Sequence, residues 1–414
     1  MRNSTRPVLA LALAAVLAFS SSAAALAKGK TPPVTNPMDF ARWTSLADWN
    51  SGTFDHIMPV MTGDPAGNGG LVLDPADGLL TGTDTAGMYN SGDYYYGTYT
   101  TPVVVTDIPF NWAVASWDAT TPEGTWLQLE MTAQKADGTW TKWYNMGVWA
   151  FETVTVRRHS VYGQADKDGT VDTDTLKLGK AAVAYQCRLT LFTADPALTP
   201  QVNLISVIVH NTRGELTAMT PDRSAWGIEL AVPERSQMDY LPEGSAWCSP
   251  TATSMVMEYW AGITGNSDLN QTVPAIAARC RDYGYGGTGN WPFNTAAAAG
   301  YGLEAYVSRF QSLSQIEQWI KAGVPVVIGI QFKKGDLTGA PILSTSGHLI
   351  LVRGFDENGN VICNDPAATY SQGEDVRVVY IREELEAAWL GANGIVYLIY
   401  PAGHPTPADP RGSW

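Results

Sequence analysis

The apolar residues of this chain change their period near its middle, and that change narrows the folds open to it. From about Ala41 to His210 they alternate in short runs, as in Leu127-Gln128-Leu129-Glu130-Met131 and Val202-Asn203-Leu204-Ile205-Ser206-Val207. A period of two sends neighbouring side chains to opposite faces, so these runs predict half-buried strands. Asp137-Gly138 and Asp168-Gly169 are read as hairpin turns between them, and helical periodicity is scarce, which predicts an all-β sandwich of the jelly-roll kind. After Trp247 the spacing becomes helical, with Ala252, Met255, Val256, Tyr259 and Trp260 on one face. Strands then dominate, so the second half is predicted to be α+β.

The length of 414 residues leaves room for two cores. The predicted borders are a β-sandwich accessory domain over 40–210, a linker over 211–232 around Thr220-Pro221-Asp222-Arg223, an α+β domain over 233–401 and a tail over 402–414. Within the α+β domain, Ser312 to Ala322 reads as an amphipathic helix with Ile316, Trp319 and Ile320 on its apolar face, stopped by Gly323. The expected strands are Val324 to Phe332, His348 to Phe355, Val361 to Asn364, Val376 to Ile381 and Gly394 to Tyr400, with a short helix from Arg382 to Trp389.

The helical run places Cys248 at a helix N-terminus. Pro250 suits the first turn because its missing N–H would have had no partner there. The free amides and the dipole of that end stabilise a thiolate. A thiolate needs a proton acceptor, and His348 is the best placed of the five histidines: it follows Ser344-Thr345-Ser346-Gly347 and opens the apolar run Leu349-Ile350-Leu351-Val352. It is expected at the exposed start of a buried strand. Asp356-Glu357-Asn358-Gly359-Asn360 is a turn signal, and Val361-Ile362-Cys363 is the returning strand. An antiparallel return brings Asp365 beside His348, where a carboxylate can fix the imidazole tautomer.

In these residues, Gln237, the Cys248 helix, Gly347-His348 before an apolar run, and Asn364-Asp365-Pro366, the chain resembles the C39-like cysteine peptidases of the papain-like superfamily, over about 230–401. The resemblance implies a papain-like fold and four roles. Cys248 would be the nucleophile, His348 the proton shuttle, Asp365 the orienting acid and Gln237 an oxyanion donor, with no metal or cofactor. Family members often carry Gly between the Cys and the Pro. Here Ser249 stands there, and its side chain is expected where the backbone amide approaches substrate. The implied activity is hydrolysis of peptide bonds through an acyl-enzyme. A cell-wall amidase, a transglutaminase-like acyltransferase with the same triad, and a non-catalytic surface-binding protein are the alternatives.

Other residues are read more plainly. Tyr283 to Trp291 is a glycine-rich loop that no phosphate motif explains, and Tyr285 and Trp291 in it are candidates for substrate contact, as is Trp247. Cys187, Cys280 and Cys363 look structural, and the absence of CxxC or HExxH spacing predicts no metal site. The rings Trp112, Trp117, Trp126, Trp140, Trp143, Tyr144 and Trp149, with Tyr94 to Tyr96, fit core packing; contact with glycan or a cell surface is the second reading.

Arg2 and Arg6 precede an apolar stretch from Val8 to Phe19 and small residues up to Ala25-Leu26-Ala27, the layout of a secretory signal over 1–27 cleaved near Ala27. A disordered lead-in with Pro32, Pro33 and Pro37 is expected over 28–39. Secretion without membrane insertion is the consequence. The net charge of −14 argues against nucleic acid as a partner and leaves a polypeptide or peptidoglycan-peptide substrate.

Overall fold

Two antiparallel sheets, built from segments on either side of His210, carry the chain in a computed structural model. It describes residues 37–63, 67–76, 78–217, 219–369, 373–409 and 412–414; the expected signal and nearly all of the lead-in lie outside them.

The first sheet contains β1 (Met38–Trp43), β2 (Thr53–Asp55), β3 (Ile57–Met61), β4 (Gly69–Leu73), β5 (Leu80–Thr83), β6 (Asp93–Thr100), β7 (Val104–Thr120), β8 (Thr125–Lys135), β9 (Tyr144–Trp149), β10 (Gly169–Asp172), β11 (Thr175–Thr193) and β12 (Gln201–His210). A single-turn helix α1 (Leu46–Trp49), closed by a Ser45/Asp48 capping box, follows β1. The main path runs β2-β6-β11-β7-β12-β4-β3, with β8 and β9 branching from β11. β11 is long enough to change partners: it pairs with β10 and β7 at its start and with β6 and β8 at its end.

The expected alternation is present and leaves β5, β6 and the start of β7 half-exposed, but β8 and β9 are covered on both faces. Leu127, Leu129 and Met131 of β8 join the main core, while Trp126 on the opposite face is covered by a second cluster with Phe192, its ring stacked at 5.2 Å. Tyr89 and Tyr94 pack against that cluster. Trp117, Tyr144 and Trp149 are also fully buried. Asp137-Gly138 does form a turn, with Gly138 at φ +83°. Asp168-Gly169 does not. Gly169 opens β10, where a Cβ would meet the Lys177 carbonyl at 2.6 Å, so the residue answers a close strand approach. The turn lies instead at Thr173-Asp174, with Thr173 at φ +56°.

The second half contains α2 (Cys248–Thr264), α3 (Val273–Cys280), α4 (Trp291–Ala299), β13 (Leu303–Arg309), α5 (Leu313–Lys321), β14 (Val326–Phe332), β15 (Thr345–Phe355), β16 (Val361–Asn364), β17 (Arg377–Tyr380), α6 (Arg382–Gly391) and β18 (Ile395–Pro401). Its sheet order is β13-β18-β14-β15-β16-β17. β13 and α4 have no counterpart among the expected elements. Every residue of α4 after Trp291 is buried, so it has no polar face to betray a helical period.

The segments on either side of His210 share their cores. Phe293, Ala296 and Ala297 of α4 pack in the cluster of the first sheet, and Val114, Leu204 and Ile208 pack in that of the second. The buried Ser116 hydroxyl accepts the Val307 N–H at 3.0 Å, and Arg158 donates to the Ala278 carbonyl at 2.7 Å. The stretch expected as a linker lies along β15, where Leu230 N–H donates to the Arg353 carbonyl at 2.7 Å. The expected tail is also packed: the Trp414 ring lies 5.0 Å from Phe310 and 5.7 Å from Trp319. Among the described residues no helix is long and apolar enough to cross a membrane, and all four cysteines are free.

Candidate active site

Cys248 is the first residue of α2, and Trp247 precedes it as a cap without a side-chain hydrogen bond. The thiol is half-buried and lies close enough to His348 for the imidazole to act on its ionisation. Burial alone would raise its pKa. The hydrogen bond and charge of His348, with the amides of Leu349 and Ser249, outweigh burial and hold the thiol below its ordinary value.

His348 differs from expectation in one respect. It stands four residues into β15, paired with Ile330 of β14, and is only 4% exposed. It reaches the cleft because the pairing slips beyond it: the next partners are Phe332 and Thr345, so Gln331 faces both Ser346 and Gly347. Its Nε2 lies 2.7 Å from Asp365 Oδ1, which leaves Nδ1 for the thiol. Burial would lower the imidazole pKa, but the Asp365 charge and hydrogen bond, with Cys248, push it up to about 10.

Asp365 follows the last residue of β16, as the hairpin predicts. Its Oδ1 also accepts the Ala367 N–H at 3.0 Å, and its Oδ2 accepts the Tyr380 hydroxyl at 2.7 Å. Burial opposes ionisation here as well, and His348 with these donors keeps the carboxyl below its usual range. Sequence reasoning missed Tyr380. The one available signal is that Tyr380 stands in an apolar run, and a tyrosine whose ring is buried needs a partner for its hydroxyl.

Gln237 is buried in a 3-10 turn, and its N–H donates to the Pro366 carbonyl at 2.9 Å, so the segment after Asp365 also anchors Gln237. Its side-chain amide donates one N–H to the Ser245 carbonyl at 2.9 Å; an amide has a second. Ser249 departs from expectation. It is fully buried, and its hydroxyl lies 3.0 Å from that of Tyr397, turned into the core and away from the substrate path.

A cavity of about 420 Å³ opens beside His348, and Tyr285 and Trp291 line it. Trp247 is not on its wall; its ring lies 6.2 Å from Tyr240. The loop before Trp291 is held by buried Asp282, which accepts the N–H groups of Ser160, Gly284 and Tyr285 and the Asn290 amide, each at 2.9 Å. The first half supplies part of the same wall through Trp112 and the turn from Asp172 to Lys177. Asp174 there accepts the Trp291 N–H at 2.7 Å, and burial pushes its pKa up to about 7. Nothing in the sequence pattern ties residues so distant to His348. Among the described residues no group of three or more His, Cys, Asp or Glu side chains is arranged to hold a metal ion.

A thiol beside an imidazole that is hydrogen-bonded to a carboxylate, on a helix and a sheet behind a β-rich first half, defines a protein built around a Cys-His-Asp array. Two family models agree with that class: residues 39–209 match the Peptidase C39 N-terminal domain, and residues 229–396 match the Peptidase_C39 like family. The chain belongs to the C39-like peptidases. A solved structure from Bacillus anthracis, described as a C39-like peptidase, is similar at 19% identity over 42% of this chain and 98% of its own, with a TM-score of 0.31. The CBM22-1–GH10 modules of xylanase 10B from Clostridium thermocellum are similar at 8% identity over 47% of this chain and 33% of their own, with a TM-score of 0.25. A family 11 carbohydrate-binding module from the same organism is similar at 10% identity over 43% and 91%, with a TM-score of 0.17. A search of curated proteins gives no match.

Proposed function

We propose that this chain is a secreted cysteine peptidase that hydrolyses peptide bonds through an acyl-enzyme, with a papain-like α+β half behind a β-sandwich of the jelly-roll kind. The observation that carries the reading is the 2.7 Å contact of His348 Nε2 with Asp365, together with the influence of His348 on the neighbouring Cys248 thiol. The depressed thiol and the raised imidazole favour a thiolate–imidazolium pair. The Cys248 sulfur attacks the peptide carbonyl, and the resulting oxyanion is held by the Cys248 N–H and the second N–H of the Gln237 amide. His348 gives its proton to the leaving amine, and the C–N bond breaks. Neutral His348 then takes a proton from water as the hydroxide attacks the thioester. Collapse expels the Cys248 thiolate and frees the acid, and the proton kept on His348 restores the ion pair. Asp365, held by Tyr380 and Ala367, keeps the ring in register through these steps.

Secretion is supported by the signal-like layout of residues 1–27, and sequencing the exported protein from its first residue tests it, with a start near Lys28 expected. The mechanism is tested by exposing a mixed peptide library to the protein under reducing conditions, with Cys248→Ala and His348→Ala beside it. Cleavage by the parent that falls at least about 10³-fold in both variants supports the reading. Cell-wall amides cleaved in place of peptides would identify an amidase. Transfer of the acyl group to an added amine would identify an acyltransferase. A Cys248 no more reactive toward iodoacetamide than Cys187, Cys280 and Cys363 would leave only a binding role.

A further inference from the structure

One wall of the cavity beside His348 comes from the first half of the chain, and the proposed mechanism makes no use of it. Trp112 of β7 and the β10–β11 turn line this slot together with Tyr285 and Trp291. The charged groups that the first half places on its wall have partners, whereas buried Arg309 beneath it keeps Nε and Nη2 without a hydrogen bond among the described residues. Lys177 Nζ lies 2.5 Å from Asp172 Oδ2 and 4.8 Å from the centre of the Trp112 ring. Asp174, 5% exposed, accepts the Trp291 N–H and the Thr175 hydroxyl at 2.7 and 3.0 Å. Arg309 lies buried beneath, 5.6 Å from the Trp112 ring and 5.8 Å from that of Trp291, donating to the Asn393 carbonyl at 2.9 Å, with the charge of Asp174 acting on it.

A charged group entering this slot would shed water without meeting an unpaired counter-charge on its wall, since Arg309 is fully buried and does not line it, a cost that disfavours the charge. What the slot leaves open is ring surface, with Ile330 and Leu349 behind it and uncharged polar groups such as Gln331 and Asn393 at its side. Its volume of about 420 Å³ suits a bulky side chain in a mostly apolar pocket. We propose that the slot selects polypeptide substrates by an aromatic or large aliphatic side chain near the scissile bond, with Trp112 and Tyr285 as specificity-determining residues. The inference rests on the peptidase reading and adds the substrate class to it. It also assigns the first half a direct part in recognition.

The test uses acetylated tetrapeptide amides that differ at one position, carrying Trp, Phe, Leu, Lys or Asp. Cleavage by the full chain and equilibrium binding to its Cys248→Ala form are both measured. The apolar set is expected to lead the charged set by about tenfold or more in both assays, and Trp112→Ala or Tyr285→Ala to remove that lead. Tyr285 is 48% exposed, so its truncation leaves the core intact. Iodoacetamide alkylation of Cys248 at the parent rate verifies that each variant keeps its thiol site. A lead for Lys or Asp, or an apolar lead that survives both substitutions, overturns the proposal. Cleavage with a flat profile rejects the slot and keeps the peptidase. Apolar binding without cleavage rejects the peptidase and keeps the slot, and the absence of both rejects the two together.

Discussion

Ser249 shows how much a single hydroxyl direction can settle. Turned inward to Tyr397, it leaves the first turn of α2 as open to substrate as a glycine would. Ser249→Gly is therefore expected to change kcat/KM by less than about threefold while costing about 1–3 kcal/mol of stability, because the Tyr397 hydroxyl loses a buried partner. Thermal melts read alongside peptide hydrolysis measure both effects, and a tenfold gain in activity would contradict the inward geometry. The pH profile belongs to the same scale. Activity rises as Cys248 loses its proton, which happens below the ordinary thiol value of 9, and falls as His348 loses its own near pH 10. Asp365→Asn removes the charge that most raises the imidazole pKa, so the alkaline limb should move to lower pH and kcat should fall about 10²- to 10⁴-fold. A limb that stays in place in rate–pH measurements would detach Asp365 from His348.

Elements marked by a turn, a terminal proline or a long apolar run were legible in the sequence, and elements without such a mark were not. The start of α2 could be read because Pro250 and the apolar period coincide at one end, and Val361–Asn364 because a strong turn precedes it. The pairing of His348 with Asp365 followed from that hairpin alone. α4 was hidden by its complete burial, and the β10–β11 turn by a threonine in a conformation that glycine usually fills. The slip in pairing beside His348 is likewise invisible, since Gln331, Ser346 and Gly347 at that point carry no alternating pattern that fixes a register. The C-terminal stretch read as a tail for lack of periodicity, yet Trp414 anchors it on α5 and on Phe310, just after β13. Trp414→Ala should lower stability by about 2–3 kcal/mol with little effect on Cys248 alkylation, as denaturant unfolding and thiol labelling would register. Unchanged unfolding would mean that the stretch adds nothing to the fold.

At the scale of the molecule, a segment cut out at residues 229–414 would expose Phe293, Ala296 and Ala297 and strip the Val307 N–H of its Ser116 acceptor. Such a fragment is expected to lack a cooperative thermal transition and sharp near-ultraviolet dichroism, whereas the full chain should melt in a single step. A fragment melting as sharply as the parent would show that the cores are separable. The shared core also restricts how such a protein can vary by descent. Phe293 touches Trp117 and Trp149 across the boundary, so a change in the bulk of any one of these rings must be answered by the others. Recombination that replaced the first half with a foreign β domain would leave an unfilled hollow at α4. What can be inherited or transplanted intact is the pair.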